Sequence, residues 1–115
     1  MNKKIGEIIR EIRNEKGISL RRLAEIVNVS NVNILYIEKG KINTSLPILK
    51  GIAKALNYNI DKLLALADMI DDDIRNIINK RPISITNFLR TAKNLTNDDW
   101  NILTKQVLKM NRTVS

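Results

Sequence analysis

Residues 19–40, SLRRLAEIVNVSNVNILYIEKG, decide the fold, because they read as two short helices joined by a tight turn. Ser19 is placed to cap the first helix, since its hydroxyl can accept a bond from a free backbone N–H. Leu20, Leu23, Ala24 and Val27 then recur at helical spacing and form one apolar face. Asn28 follows, a residue that tolerates the left-handed conformation a sharp turn requires. Val29 plugs the corner and Ser30 caps again. Ile34 and Ile37 form the inward side of a second helix ending near Gly40. Ala24 sits where the two helices should cross, and a larger side chain there would push them apart. So many agreeing positions make the stretch a helix-turn-helix.

Upstream, residues 4–15 form a first helix with Ile5, Ile8, Ile9 and Ile12 inward and Glu7, Arg10, Glu11, Arg13 and Glu15 mainly outside. Gly17 closes it in the left-handed region. Downstream, the loop KINTS has no apolar periodicity. Ser45 or Thr44 caps a fourth helix, and Pro47 sits in its first turn, where a missing N–H costs nothing. Leu46, Leu49, Ile52, Ala53 and Leu56 supply its buried face, and Asn57 ends it. Asn59 or Asp61 starts a fifth short helix with Ile60, Leu63 and Leu64 inward. The predicted organisation is all-α, with a helix-turn-helix domain over residues 1–67 and a second helical segment over 68–115.

That second segment is organised differently. Asp71, Asp72 and Asp73 lead into Ile74, Ile77 and Ile78, and Pro82 stops that helix. The acidic run is read as a helix N-terminus lined with carboxylates, and no metal site is proposed there. Another helix is expected from about Ser84 to Asn94, with Ile85, Phe88, Leu89 and Ala92 apolar. Thr96 and Asp99 form a capping box that opens a last helix. Its Trp100, Leu103, Val107 and Met110 alternate threes and fours, as a helix–helix seam does. The closing NRTVS reads as a frayed tail.

Composition narrows the function. The 115 residues carry a formal charge of +8, which favours a polyanionic partner. Residues 1–57 hold 11 Lys and Arg against 5 Glu, whereas residues 58–115 hold 9 against 7 Asp, so the first half is the expected contact with an anion. The absence of Cys and His removes disulfides, thiolate chemistry, imidazole bases and the common zinc sites. No cofactor is expected, and no enzyme. No apolar run approaches a membrane span, and MNKKIGEIIREIR is unlike a signal peptide, so a cytoplasmic protein without a membrane partner is expected.

With these residues in place, 5–66 resembles the lambda-repressor-like, XRE-type DNA-binding domains. The resemblance runs through IGEIIREIRNEKGIS, LAEIVNVSNVNILYIEKG and LPILKGIAKALNYNIDKLL. RPISITNFLRTAKNLTNDDWNIL is similar, more loosely, to tails on some small members. The resemblance implies a five-helix domain whose third helix lies in the major groove while the second crosses the backbone. Asn31, Val32 and Tyr36 fall where family members read bases, with Asn33 close by. Asn can bond adenine in a bidentate manner, and Val can pack on a thymine methyl. Arg13 and Glu38 occupy positions that pair in the family, a structural fork that orients the reading helix.

Phosphate contacts are expected from Lys39, Lys41, Asn43 and Thr44, aided by the N-terminus of the fourth helix. Arg21 and Arg22 are further candidates, and Arg10 a weaker one. Two positions depart from the family. Leu20 stands where Gln is usual, so one backbone clamp is absent or moved to Arg21. Asn28 stands where Gly is common.

One such domain holds few base contacts, while specific affinity needs about 4 kcal/mol or more beyond non-specific binding. Doubling the half-site supplies it, and a two-fold dimer matches a palindromic operator. Phe88, Leu89, Trp100, Leu103 and Val107 are the expected homodimer interface, with Trp100 as anchor. The leading expectation is a dimeric repressor on a double-stranded DNA operator. The alternative is an antitoxin or other interaction protein whose C-terminal helices hold a second protein, with DNA binding used for autoregulation.

Overall fold

Side-chain oxygens begin four of the first five helices. Ser19, Ser30, Ser45 and Asn59 accept from the backbone N–H groups of Arg22, Asn33, Ile48 and Lys62, at 2.9, 3.1, 3.4 and 3.1 Å. Each satisfies a donor that no helical carbonyl can reach. The computed structural model describes residues 3–113, with side chains from Ile5 to Asn111. The helices are α1 Lys3–Glu15, α2 Leu20–Val27, α3 Asn31–Glu38, α4 Leu46–Ala55, α5 Ile60–Leu66, α6 Asp72–Lys80, α7 Pro82–Thr91 and α8 Asn97–Thr113, with no strand among the described residues.

The helices end as locally as they begin. Gly17, Asn28, Gly40 and Asn57 all have positive φ, at 67°, 63°, 69° and 51°. Asn28 closes the corner of the motif, its N–H bonded to Glu25 O at 3.2 Å while Val29 N reaches back to Ala24 O at 3.0 Å.

α1 packs on α3 and α5, α2 on α3 and α4, and α4 on α5. Their inward faces meet in one core, where Ile9, Leu23, Ile34, Leu49 and Ile52 are wholly buried. Ala24 is 1% exposed between α2 and its neighbours, as a close crossing demands. α1 approaches α3 closely enough that a Cβ on Gly6 would run into the backbone carbonyls of Ile37 and Glu38. A glycine inside a helix costs about 1 kcal/mol relative to Ala, and that close approach explains its place here.

The polypeptide divides into two compact units between Arg75 and Asn76, inside α6. A long-range pair carries the first unit past its fifth helix: Lys50 Nζ, on α4, donates to Asp71 Oδ1 at 3.2 Å. Asp71 Oδ1 also accepts from Asp72 N at 2.8 Å, and Asp72 and Asp73 line the first turn of α6.

In the second unit the expected helix limits need correction. Pro82 does follow the end of α6 but opens α7 at its first positions, so α7 starts before Ser84 and ends at Thr91, short of Asn94. The ring's fixed φ suits a helix start as well as a stop. Thr96 and Asp99 make the reciprocal capping box: Asp99 N donates to Thr96 Oγ1 at 3.1 Å and Thr96 N to Asp99 Oδ2 at 3.0 Å. α8 continues through Asn111 and Arg112 to Thr113, where a frayed tail was expected; Val114 and Ser115 lie outside the described residues. The rings of Phe88 and Trp100 meet edge to face, 6.1 Å apart at 70°, and join α7 to α8.

Candidate nucleic-acid interface

α3 divides its side chains cleanly. Ile34, Ile37 and Glu38 are buried, while Asn31, Val32 and Tyr36 are exposed, and Asn33 and Leu35 are intermediate. Val32 keeps 54% of its surface in water, a high value for an apolar side chain on a helix so well anchored. Asn31 and Val32 occupy the first turn of α3, with Tyr36 one turn further along from Val32. The side chains that sequence reasoning assigned to base reading therefore share the outer surface of one helix. Helical spacing alone brings them together.

Beneath that surface α3 is held at its far end. Arg13 donates from Nε to Glu38 Oε2 at 2.8 Å and from Nη2 to Glu38 Oε1 at 3.0 Å. Its Nη1 donates to Ile18 O at 3.0 Å, so the guanidinium also ties the loop ahead of α2 to the same carboxylate. The side chains are only 11% and 3% exposed. This planar, two-bond geometry fixes angle as well as distance.

The cations around this face differ in freedom. Lys39 is exposed at the α3 C-cap, and Lys41 Nζ stands 5.6 Å from the centre of the Tyr36 ring. Lys41 N also donates to Tyr36 O at 2.9 Å, so one residue clamps Tyr36 through backbone and side chain. Sequence spacing gave no sign of that contact. Arg21 and Arg22 lie on the exposed side of α2 and share Glu25, at 3.9 and 3.5 Å. Such exposed pairs are weak and readily exchanged for a phosphate. Arg10 and Lys39 flank a cleft of about 230 Å³ whose walls include Leu20 and Leu35. Leu20 thus turns its half-buried side chain to apolar company, where the family's Gln would reach a phosphate.

Asn43 is exposed in the loop before α4. Thr44 beside it is different: its Oγ1 is buried and without a hydrogen-bond partner. Thr44 and Asn43 both line a cleft of about 280 Å³ with Ile5, Ile37 and Met69, but the burial of the Thr44 hydroxyl withdraws that one atom from solvent.

Among the described residues no group of acidic or other ligating side chains could hold a metal ion, and no helix is long and apolar enough to cross a membrane.

This geometry coincides with a known sequence pattern: a helix-turn-helix family model matches residues 9–63. An HTH-type transcriptional regulator of Archaeoglobus fulgidus is 38% identical over 60 residues, covering 52% of this chain and 86% of that protein. The chain belongs to the XRE-type helix-turn-helix family. Its members are DNA-binding transcriptional regulators, not enzymes. The competence pilus inhibition repressor of Acinetobacter baylyi is 32% identical over 69 residues, which span 60% of this chain and 63% of the repressor, under two thirds of its length. Among solved structures, the restriction-modification controller protein C.AhdI of Aeromonas hydrophila is 31% identical, with a TM-score of 0.51, covering 53% of this chain and 92% of that one. All three likenesses fall on about half to three fifths of the chain, in keeping with the extent of the motif-bearing unit.

Proposed function

We propose that this protein is a dimeric repressor that places α3 in the major groove of a two-fold symmetric, double-stranded DNA operator. The observation that carries the reading is the split of α3, with Ile34 and Ile37 sealed in the core and Asn31, Val32 and Tyr36 presented outward. Asn31 and Val32 read base edges, with Asn33 and Tyr36 beside them. Lys39, Lys41 and Asn43, with Arg21 and Arg22 once released from Glu25, take the flanking phosphates. Repression requires only that a promoter be occupied, and the relative from Acinetobacter baylyi is itself named a repressor.

The second unit supplies the second copy. Phe88 and Leu89 are each 49% exposed, Trp100 37% and Val107 51%, and Leu103 is half-buried. So much open apolar surface on so few helices is the mark of an interaction site. The same surface supports the second reading, in which these helices hold a different protein and DNA binding serves autoregulation.

Selection of bound sequences from a random duplex library, at near-physiological salt, tests the proposal. Enrichment of a motif with two-fold symmetry is the expected result, and its spacing gives the separation of the two α3 helices. An asymmetric motif would retain DNA reading and reject the symmetric dimer. Binding without enrichment that vanishes as salt rises would reject base reading altogether.

A further inference from the structure

We propose that the cleft between α1, α2 and α3 seats one sugar–phosphate unit of the DNA backbone, with its phosphate between Arg10 and Lys39. The inference rests on the DNA-binding reading above and deepens it, making Arg10 the clamp that the departure at Leu20 removes. The cleft, of about 230 Å³, is walled by Arg10, Arg13, Leu20, Leu35, Glu38 and Lys39. That is below the roughly 300–1,000 Å³ of pockets that enclose a small ligand. It suits one unit of a chain laid across it better than a molecule held inside.

Charge in the cleft is unbalanced in one direction. Glu38 is its one acidic wall residue, and both carboxylate oxygens already accept from Arg13. Arg13 is equally committed, since its Nη1 donates to Ile18 O. Arg10 and Lys39 are exposed, and neither enters an ion pair among the described residues, although Glu7 and Glu11 lie close to Arg10 along α1. Two uncompensated cations thus flank one opening. An anion between them relieves their repulsion and gains charge-assisted hydrogen bonds. Arg21 is no wall of this cleft and stands 3.9 Å from Glu25, so the phosphate nearest Leu20 falls to Arg10.

The apolar walls select what accompanies the anion. Leu20 and Leu35 are both half-buried, and the carbon face of a deoxyribose covers them, whereas a free inorganic anion gains nothing there. Position agrees with chemistry. Val32, Leu35 and Lys39 recur at intervals of three and four along α3 and its C-cap, so the cleft continues the stripe that begins at Val32. A strand whose base meets Val32 passes its backbone over the cleft. Leu20 is also the first residue of α2, which puts the positive end of that helix at the same wall.

The test uses the full chain and two duplexes of equal length, one carrying the operator that selection recovers and one unrelated. Arg10→Gln should weaken binding to both by the same factor. It should also make the dependence of log affinity on log salt shallower by about 0.9 for each copy bound. Lys54→Gln removes an equal charge from the exposed last turn of α4 and should move the slope much less. Because the slope is read on unrelated duplex too, it tests the clamp independently of base reading and of the dimer. Arg10→Lys keeps the charge and should restore the slope. A slope that stays shallow in Arg10→Lys would assign the loss to folding and overturn the clamp. Single phosphates of the operator are then replaced by uncharged methylphosphonates. One position in each half-site should weaken the natural chain and leave Arg10→Gln no weaker than before. An Arg10→Gln slope no shallower than that of Lys54→Gln would overturn the proposal, as would a methylphosphonate pattern identical in the natural chain and Arg10→Gln. Failure of the natural chain to bind either duplex would overturn the DNA-binding reading itself.

Discussion

Arg13 and Glu38, 25 positions apart in sequence, share two parallel hydrogen bonds of 2.8 and 3.0 Å in an environment almost closed to water. The pair joins the last turn of α1 to the last residue of α3, so α3 is held from behind by a charged fork. Such a fork contributes geometry more than stability, because the cost of desolvating two ions offsets most of their attraction.

Removing one partner should therefore be far worse than removing both. Arg13→Ala leaves the Glu38 carboxylate buried and alone, and should cost about 3–5 kcal/mol in urea unfolding at fixed protein concentration. The double substitution Arg13→Met with Glu38→Leu should recover most of that loss, to within about 1 kcal/mol of the natural chain. Equal destabilisation by the single and double variants would show that the fork itself stabilises the fold.

Gly6 makes a similar demand on the backbone. Alanine is the better helix former by about 1 kcal/mol, so on propensity alone Gly6→Ala should stabilise α1. The added Cβ, however, would lie 2.5 Å from the backbone oxygen of Glu38 and press on that of Ile37 as well. Neither carbonyl can rotate aside without shifting α3. Overpacking of this kind costs about 1–3 kcal/mol, so Gly6→Ala should lower the unfolding midpoint rather than raise it. A raised midpoint would mean that α1 can slide away from α3 at little cost.

The fork and the Gly6 crossing also mark where sequence reading reaches its limit. The caps at Ser19 and Ser30 and the left-handed turns at Asn28 and Asn57 were legible, and the caps at Ser45 and Asn59 were narrowed to one of two residues each, because all depend on chemistry within three or four residues. The inward faces of α1 to α5 were legible by periodicity, except that Arg13, read as lying mainly outside on α1, is buried against Glu38. Gly6 was not, since its reason is a carbonyl more than 30 positions away. The Asp71 link to Lys50 is likewise long-range, and it draws the beginning of α6 into the first unit. Pro82 was legible as a boundary, but a proline suits both the end of one helix and the start of the next. At the candidate interface, the buried side of α3 followed from spacing and the choice of Asn31, Val32 and Tyr36 from the family resemblance, whereas the burial of the Thr44 hydroxyl and the approach of Lys41 to the Tyr36 ring followed from neither.

Asp71 gives a pH signature. The hydrogen bond from Lys50, aided by the N–H of Asp72 and the Lys50 charge, holds its carboxyl below the ordinary value of 3.8. A depressed pKa stabilises the folded state above the unfolded pKa, and that contribution is lost as pH falls through the folded one. The natural chain should therefore melt slightly above Asp71→Asn at neutral pH. The difference should shrink once the pH drops below about 4. Thermal melts of both proteins across that range check it; a difference that persists unchanged in acid would assign the effect to something other than the carboxylate.

Asn31 and Val32 test base reading directly. Replacing either with Ala should cost about 1–3 kcal/mol of operator affinity for each base that its side chain reads. Binding to unrelated duplex should barely change, and the salt slope should be preserved, since the proposed phosphate contacts are untouched. Both side chains are exposed, so folding should be unaffected and thermal melts should coincide with the natural chain. Equal weakening on operator and unrelated DNA would reject their role as readers.

Thr44 separates a structural role from a phosphate contact. Its hydroxyl is buried with no partner, and an unmet buried donor costs about 1–3 kcal/mol. Thr44→Val keeps the shape and removes the unmet group, so it should leave stability unchanged or raise it, by up to about 1 kcal/mol. DNA affinity should also hold, because the hydroxyl is withdrawn from the surface. Asn43→Ala, one residue away and exposed, should instead weaken binding on every sequence alike, as removal of a phosphate-binding group does. The two variants, measured for unfolding and for binding at several salt concentrations, give opposite patterns if the loop presents Asn43 and hides Thr44. Weakened affinity in Thr44→Val with undiminished stability would place the hydroxyl on the DNA after all, and would require the loop to turn outward on binding.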